Sequence, residues 1–276
     1  MNWCLCGSDP SRWETEFPRC GGLHQSPINI VTRNVHVNDN LPPLVFIGYT
    51  DIINITNIHD RPSSPAAHFA LPPSVRLTGG ALPGYYCRAA QFHFHWGGNG
   101  RPGSEHTIDG ERFPMELHIV HIKEPYRSLA EAQQDMAGIA LLAFLFEGSV
   151  SIDLFYFSLS PGSTTVIPNF CLSDIIPPAS DLHHYYRYVG SMTTPGCEHA
   201  VAWTVFHQTL SISISLLKTL FLFNTVGLPM TDIFRPTQPL DGRIVYRTNS
   251  GAAQRRIIHM WICVFSAVLF TSVLTH

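Results

Sequence analysis

Two short segments of alternating character constrain this chain most. Residues 91–96 (QFHFHW) and 115–121 (MELHIVH) are rich in β-favouring residues, and both are predicted to be strands. Residues i and i+2 of a strand share a face, so His93 and His95 point to one side while the phenylalanines between them point to the other. If the two strands pair, His118 of the second segment joins the two histidines of the first.

Three imidazoles on paired strands predict a metal site. Catalytic zinc takes three protein ligands and leaves the fourth tetrahedral position for water, so His93, His95 and His118 are the predicted ligands. Gln91 and Glu116 lie two residues from a ligand on the same face, where each is placed to accept the outer ring N–H of a metal-bound histidine. The alternative is a set of core histidines, because a chain with 15 histidines produces such spacings by chance. The third histidine with its carboxylate favours the metal site.

Six short motifs occur in a fixed order along the chain. They are residues 25–30 (QSPINI), 91–96 (QFHFHW), 104–106 (SEH), 115–121 (MELHIVH), 190–195 (GSMTTP) and 234–240 (FRPTQPL). In content and order they resemble the α-class carbonic anhydrases, most closely the membrane-anchored extracellular branch. The resemblance implies a β-dominated mixed α/β fold, with one domain around a large, twisted, mostly antiparallel sheet and short surface helices.

The resemblance also implies an activity and a cofactor. Members of this family hydrate CO2 reversibly to bicarbonate and a proton, by attack of a zinc-bound hydroxide on CO2, and they bind sulfonamide-type inhibitors. By this resemblance Glu105 accepts the hydroxyl proton of Thr193, and the threonine oxygen then accepts a proton from the hydroxide and aims it at the substrate. A threonine hydroxyl has the one donor and two acceptor positions that this role requires.

The family's substrate pocket is apolar and suits a small nonpolar molecule. The matching positions here are Val120, Leu141, Met192, Thr194, Val201 and Trp203. Leu141 stands where a smaller valine is usual, and Met192 stands where leucine is usual. Because Leu141 adds bulk near the expected CO2 position, we expect slower turnover. The alternative reading of these residues as ordinary core is compatible with the pocket.

The segment from Ile58 to His68 departs from the family pattern. Relatives carry there a histidine that ferries protons out of the site, whereas alignment by the following residues places Pro65 at that position. His59 is the candidate proton shuttle, with His68 as the alternative, since an unperturbed histidine titrates near neutrality. We therefore expect impaired proton transfer.

The resemblance implies a disulfide between Cys20 and Cys197, which constrains the unfolded chain. The alternative is a pair of free buried thiols, and the other five of the seven cysteines receive no pairing. Three further local predictions are a strand pair over residues 44–58 with a turn near Gly48, a helix over residues 211–224, and a glycosylation acceptor at Asn54.

Composition and chain ends bear on partners and location. A net charge of −3 with 13% charged residues gives no electrostatic case for nucleic acid. Residues 1–248 are predicted to form the catalytic domain, with no secretory signal visible in the first two dozen residues. Small residues near position 250, two arginines and an apolar run over residues 257–274 predict a GPI-attachment signal.

Residues 249–276 thus predict membrane attachment at the extracellular face. Ser250 is the preferred attachment residue, with Asn249 or Gly251 as alternatives. A retained transmembrane helix is the rival interpretation, but its arginines would lie outside the cell with no basic residue beyond the run.

Two other functions compete with CO2 hydration. One is a catalytically weakened cell-surface binding module on the same fold, although all three zinc histidines are present. The other is an apolar-ligand or adhesion protein in which the histidines are structural. Ester hydrolysis is compatible with the same site.

Overall fold

The structure, a computed structural model, describes residues 10–58, 68–82, 87–98, 101–135, 137–148, 164–212, 224–225, 228–229 and 232–249. Strands are the most abundant regular structure in these residues, and the two α-helices described have a single turn each. The helices are α1 (Trp13–Glu16) and α2 (Leu129–Ala132), with 3-10 turns at Pro10–Arg12, Pro18–Gly21, Thr32–Asn34, Leu172–Asp174 and Ala179–Asp181.

The strands follow in chain order. The first nine are β1 (Asn29–Ile30), β2 (His36–Asn38), β3 (Leu44–Ile47), β4 (Ile53–Ile58), β5 (His68–Ala70), β6 (Arg76–Gly79), β7 (Cys87–Trp96), β8 (Thr107–Ile108) and β9 (Glu111–Arg112). The others are β10 (Met115–Lys123), β11 (Ile139–Gly148), β12 (Thr164–Phe170), β13 (Tyr185–Ser191), β14 (His199–Phe206), β15 (Leu210–Ile212), β16 (Asn224–Thr225), β17 (Leu228–Pro229) and β18 (Tyr246–Thr248).

One large mixed sheet organises the molecule. Its strands run in the order β12-β4-β5-β7-β10-β11-β14-β13-β18-β2. Outside this order, β15 pairs with β11, β6 pairs with β7, and β3 pairs with β6. The β11–β14, β11–β15 and β18–β2 pairs are parallel, and the other pairs of this sheet are antiparallel. The predicted β-dominated fold around a large, mostly antiparallel sheet is confirmed.

The two histidine strands lie side by side at the centre of the sheet. In the antiparallel β7–β10 pair, His118 is opposite His93 and Glu116 is opposite His95. The phenylalanines and leucines between these residues point to the other face, where they join a large aromatic and aliphatic core. Burying each such side chain contributes about 1.5–3 kcal/mol, so the core fixes which face the histidines occupy.

A disulfide joins Cys20 to Cys197, with a Cα–Cα distance of 5.0 Å across 177 residues of sequence. The pairing implied by the family resemblance is therefore present, and the free-thiol alternative is wrong. Both cysteines are buried against Trp13, which ties the N-terminal segment to the loop after β13. Cys171 is a free, half-buried thiol.

The predicted pairing within residues 44–58 is wrong. Gly48 does turn the chain, with φ of 72°, but β3 pairs with β6, and β4 pairs with β5 and β12. Alternation reports which face of a strand is buried, and it carries no information on the neighbouring strand.

Most of the helix predicted over residues 211–224 lies outside the described residues. Its ends do not support it, since residues 211–212 and residue 224 belong to strands β15 and β16.

Candidate metal centre

Three histidine nitrogens converge between β7 and β10. Nδ1 of His118 lies 3.1 Å from Nε2 of His95 and 3.3 Å from Nε2 of His93. All three side chains are buried, with at most 2% exposure. A tetrahedral zinc ion with Zn–N bonds of about 2.0–2.1 Å requires ligand nitrogens roughly 3.3 Å apart, so the spacing fits.

Each histidine has an acceptor for its outer ring N–H. His93 Nδ1 lies 2.9 Å from Gln91 Oε1, and His118 Nε2 lies 2.7 Å from Glu116 Oε1, as the strand pattern predicted. His95 Nδ1 lies 2.8 Å from the backbone carbonyl of Ile233. These acceptors cannot donate, so the hydrogens lie on the outer nitrogens and the inner nitrogens present lone pairs.

The three inner nitrogens point their lone pairs at one another, and these lone pairs repel unless a cation lies between them. A zinc site requires this arrangement of neutral imidazoles. Burial lowers the pKa of His93 and His118 below its usual value and that of His95 to about 4. The imidazoles are therefore neutral at pH 7, as metal ligands must be. The three nitrogen ligands, their spacing and the hydrogen bonds of their outer ring nitrogens all fit Zn²⁺.

Glu116 holds the base of the site. Its Oε1 accepts from His118 Nε2 and from His106 Nδ1, at 2.7 and 2.6 Å, and its Oε2 accepts from the backbone N–H groups of Glu105 and His106, at 2.7 Å each. Burial alone would raise the pKa of this carboxyl, but His106 and His118 hold it well below its usual range. Glu116 is therefore a buried anion beside the metal position.

Glu105 is buried next to the ligands, with Oε2 at 3.5 Å from His95 Nε2 and 3.9 Å from His118 Nδ1. Its Oε1 accepts a 2.8 Å hydrogen bond from the backbone N–H of Arg235. Burial raises the pKa of Glu105 to about 7. A hydrogen bond to the Thr193 side chain acts in the opposite direction but does not cancel this rise. Among the described residues, no donor meets full hydrogen-bond geometry at Oε2.

A cavity of about 690 Å³ opens beside the ligands, lined by His93, Gln91, His68, Met192 and Thr194 among others. The other four predicted pocket residues pack behind it and are at most 1% exposed: Val120, Leu141, Val201 and Trp203. The sheet register sets part of this wall in a row across four strands, namely Gln91, Val120, Leu141 and Trp203.

Comparison with known proteins agrees with this site. Residues 8–249 match the model of the eukaryotic-type carbonic anhydrases. The chain belongs to this family. It is 36% identical to mouse carbonic anhydrase 15 over 274 residues, which cover 87% of this chain and 81% of the mouse protein.

Two further relatives are similarly distant. Rat carbonic anhydrase 4 is 34% identical over 255 residues, covering 88% of this chain and 80% of the rat protein. Dog carbonic anhydrase 6 is 36% identical over 252 residues, covering 86% of this chain and 76% of the dog protein. Together with the buried histidine triad, these matches identify a zinc-dependent carbonic anhydrase.

The proton-shuttle prediction falls partly outside the described residues. His59 lies there, while His68 begins β5 at the cavity wall with its ring centroid 5.1 Å from that of His93. The predicted glycosylation residue Asn54 is exposed in β4, where its side chain accepts a hydrogen bond from the backbone of Asn169.

The predicted membrane attachment also falls outside the described residues, which end at position 249 and so exclude Ser250 and the apolar run. Among the described helices, none is long and apolar enough to cross a membrane.

Several groups that shape this carbonic anhydrase site had no assigned role from the sequence. The carbonyl of Ile233 orients His95, and the backbone N–H of Arg235 holds Glu105. These are backbone groups of residues more than 100 positions away, and the amino-acid type at a position does not reveal such a contact. His106 was detectable, because it stands within the Ser104–His106 motif beside Glu105.

Proposed function

We propose that this carbonic anhydrase hydrates CO2 with Thr193 and Glu105 as the pair that orients the attacking oxygen. The single observation that carries the activity is the convergence of three neutral, buried histidine nitrogens at zinc spacing. Bound at these ligands, Zn²⁺ supplies Lewis acidity and lowers the pKa of a coordinated water to about 7, a value known from carbonic anhydrases themselves.

The residues near the zinc position would control the direction of attack. Glu105 Oε2 is a buried acceptor position beside the ligands, and the Thr193 hydroxyl is the donor proposed for it. Because a bound dication favours the charged form of a neighbouring carboxyl, Glu105 is the carboxylate in the loaded enzyme. The threonine hydroxyl proton is then committed to Glu105, and its oxygen must accept a proton from the attacking group.

The apolar wall would hold CO2 without polar contacts. Val120, Leu141 and Trp203 are fully buried, so their surfaces cannot recruit competing water. Met192 and Thr194 line the open cavity and would meet the departing bicarbonate. In this proposal the extra methylene at Leu141 slows turnover, and His59 carries the proton outward less effectively than the family's usual shuttle histidine.

The disulfide indicates a secreted or extracellular protein, since such bonds form and persist in oxidising compartments. We further propose GPI attachment at Ser250 on the outer face of the plasma membrane. The support is the sequence pattern of small residues, a short polar spacer and an apolar tail. Release of the protein from expressing cells by a phosphatidylinositol-specific phospholipase tests this location, and retention after treatment would favour a transmembrane helix.

Stopped-flow CO2 hydration on protein of known zinc content tests the activity, with and without added imidazole buffer. Bound zinc with slow turnover that imidazole restores is the expected result, because the usual shuttle histidine is missing. Fast turnover without imidazole would contradict the prediction of impaired proton transfer, but it would leave the proposed CO2 hydration intact. Bound zinc with no turnover under either condition would favour the binding module, and absence of zinc would overturn the proposal.

A further inference from the structure

Asn54, the first residue of the glycosylation pattern at residues 54–56 (NIT), does not line the metal-site cavity. This is the only Asn-x-Ser/Thr pattern in the sequence, and its middle residue is not proline. Asn54 is exposed in β4, between the half-buried Ile53 and the fully buried Ile55. Because successive side chains of a strand alternate between its faces, Asn54 faces solvent.

Asn54 lies opposite a β-bulge in β12, the neighbouring strand. Between two regular pairs of the β4–β12 ladder, β4 has one residue, Asn54, and β12 has two, Pro168 and Asn169. This two-to-one count defines a bulge, whose extra residue has no partner in the ladder. Asn169 has a φ of 56°, in the left-handed region that asparagine tolerates better than most residues. The ladder hydrogen bonds are therefore interrupted directly beside Asn54.

The bulge leaves one backbone N–H to be satisfied. Pro168 has no N–H, so Asn169 carries the only backbone donor of the two bulge residues. Oδ1 of Asn54 accepts a hydrogen bond from this N–H at 3.3 Å. Because an amide nitrogen cannot accept, the contact fixes which side-chain atom of Asn54 faces the bulge. Nδ2 of Asn54 has no hydrogen-bond partner among the described residues.

N-glycosylation uses the side-chain atom that the bulge leaves free. In this reaction the asparagine Nδ2 attacks the anomeric carbon of an oligosaccharide carried on a lipid pyrophosphate. A bond forms between Nδ2 and that carbon, the bond from the carbon to the pyrophosphate oxygen breaks, Nδ2 loses one proton, and the lipid pyrophosphate leaves. The linked amide keeps its carbonyl oxygen, so the hydrogen bond between Asn54 and Asn169 survives the modification.

We propose that Asn54 carries an N-linked oligosaccharide on Nδ2 while its Oδ1 closes the bulge of β12. The inference rests on the extracellular location that the Cys20–Cys197 disulfide indicates, and it is independent of CO2 hydration. The disulfide forms in the same secretory compartment in which oligosaccharides are transferred. Because transfer takes place on the entering, unfolded chain, the fold has only to leave Asn54 exposed.

Mass spectrometry of the full chain, directed through the secretory pathway of mammalian cells, tests the modification. Peptide N-glycosidase in ¹⁸O-labelled water converts a glycosylated asparagine to labelled aspartate, and we expect this label at Asn54 in the treated sample only. The measurement is made on chains that carry the Cys20–Cys197 bond, because these chains have reached the oxidising compartment. Chains with this bond and an unlabelled Asn54 would overturn the proposal.

Two variants of Thr56 test whether the label depends on the acceptor pattern. Thr56→Ala breaks the pattern, so the label at Asn54 and the extra mass of the oligosaccharide should both be lost. Thr56→Ser is the matched control, because it keeps the pattern and should retain both. A label that persists at Asn54 in the Thr56→Ala variant would show that it does not come from N-glycosylation and would contradict the proposal.

Two variants of Asn54 separate the oligosaccharide from the hydrogen bond to the bulge. Asn54→Asp and Asn54→Ala should both lose the oligosaccharide, but only aspartate keeps an oxygen that accepts from the Asn169 N–H. In Asn54→Ala the Asn169 amide should exchange with deuterium about twofold to tenfold faster than in Asn54→Asp, the effect of losing one hydrogen bond. Equal exchange rates at Asn169 in the two variants would contradict the role of Oδ1.

Discussion

Two histidines three positions apart on β10 have much in common and do different work. His118 and His121 are both fully buried, and burial lowers the pKa of both, for His121 to about 4. His118 Nδ1 faces two other imidazole nitrogens, whereas His121 Nε2 lies 2.7 Å from the hydroxyl of Tyr49 in the core behind the sheet. Burial and a low pKa therefore mark any core histidine, and only converging lone pairs mark a metal ligand.

Replacing each of these histidines should separate the two roles most strongly. His118→Asn should weaken zinc binding by more than about 100-fold, because it removes a direct ligand and not an outer partner, and CO2 hydration should fall with it. His121→Asn should keep zinc and lose about 1–3 kcal/mol of stability, since the buried hydrogen bond between His121 and Tyr49 is lost. Zinc content and thermal unfolding measure these effects. Zinc loss from the His121 variant equal to that from the His118 variant would contradict the comparison.

Two threonines, Thr193 near the metal site and Thr204 in the buried core, give a second comparison. Thr193→Val should lower kcat/KM for CO2 hydration by about 100-fold with zinc content unchanged, because a preorganised contact to the reacting group is lost. Thr204→Val is the control, since this threonine is fully buried opposite Leu142 and its hydroxyl has no hydrogen-bond partner among the described residues. Full activity in the Thr193 variant, measured by stopped flow, would remove it from the mechanism.

Acid titration of the metal-free protein tests whether burial lowers the pKa of a core histidine such as His121. For His121 the unfolded chain binds a proton near pH 6.5 but the folded chain only near pH 4, so stability is lost as pH falls through that window. The loss is roughly 3 kcal/mol for this histidine. Between pH 7 and pH 4 the free energy of unfolding, measured with denaturant, should therefore fall by roughly 3 kcal/mol less in His121→Asn than in the unaltered protein. An identical loss of stability in the two proteins would show that His121 does not titrate as its burial requires.

The smallest expected effect concerns two neighbouring leucines of β11. Leu141→Val should raise kcat/KM by less than about tenfold, since one methylene leaves the predicted CO2 wall. Leu142→Val removes the same atoms from the core behind the sheet, so it should cost similar stability, about 1 kcal/mol, with no gain in activity. Equal activities of the two variants would show that Leu141 does not limit turnover.

The sequence predicts the metal centre well because its chemistry is local. Alternation in two strands places His93, His95 and His118 on one face, and the same period of two places Gln91 and Glu116 beside them. The family resemblance supplies the fold and the pairing of Cys20 with Cys197.

The remainder depends on long-range contacts that leave no periodic pattern. The carbonyl that orients His95 comes from Ile233, 138 residues away, and any residue type presents a carbonyl. The hydroxyl of Tyr188 contacts Oγ of Ser26 across 162 residues, and a strand pattern shows only that Tyr188 is buried. For the same reason the partner of β3 could not be predicted, since its alternation fits β4 and β6 equally.

The most direct test of the central claim is a crystal structure of the full chain with anomalous diffraction recorded on both sides of the zinc absorption edge. One anomalous peak is expected about 2.0–2.1 Å from Nε2 of His93, Nε2 of His95 and Nδ1 of His118, with a fourth position open to the cavity. A peak coordinated through Nε2 of His118 would contradict the tautomers assigned by Glu116. A protein folded at this site with no zinc would contradict the account itself.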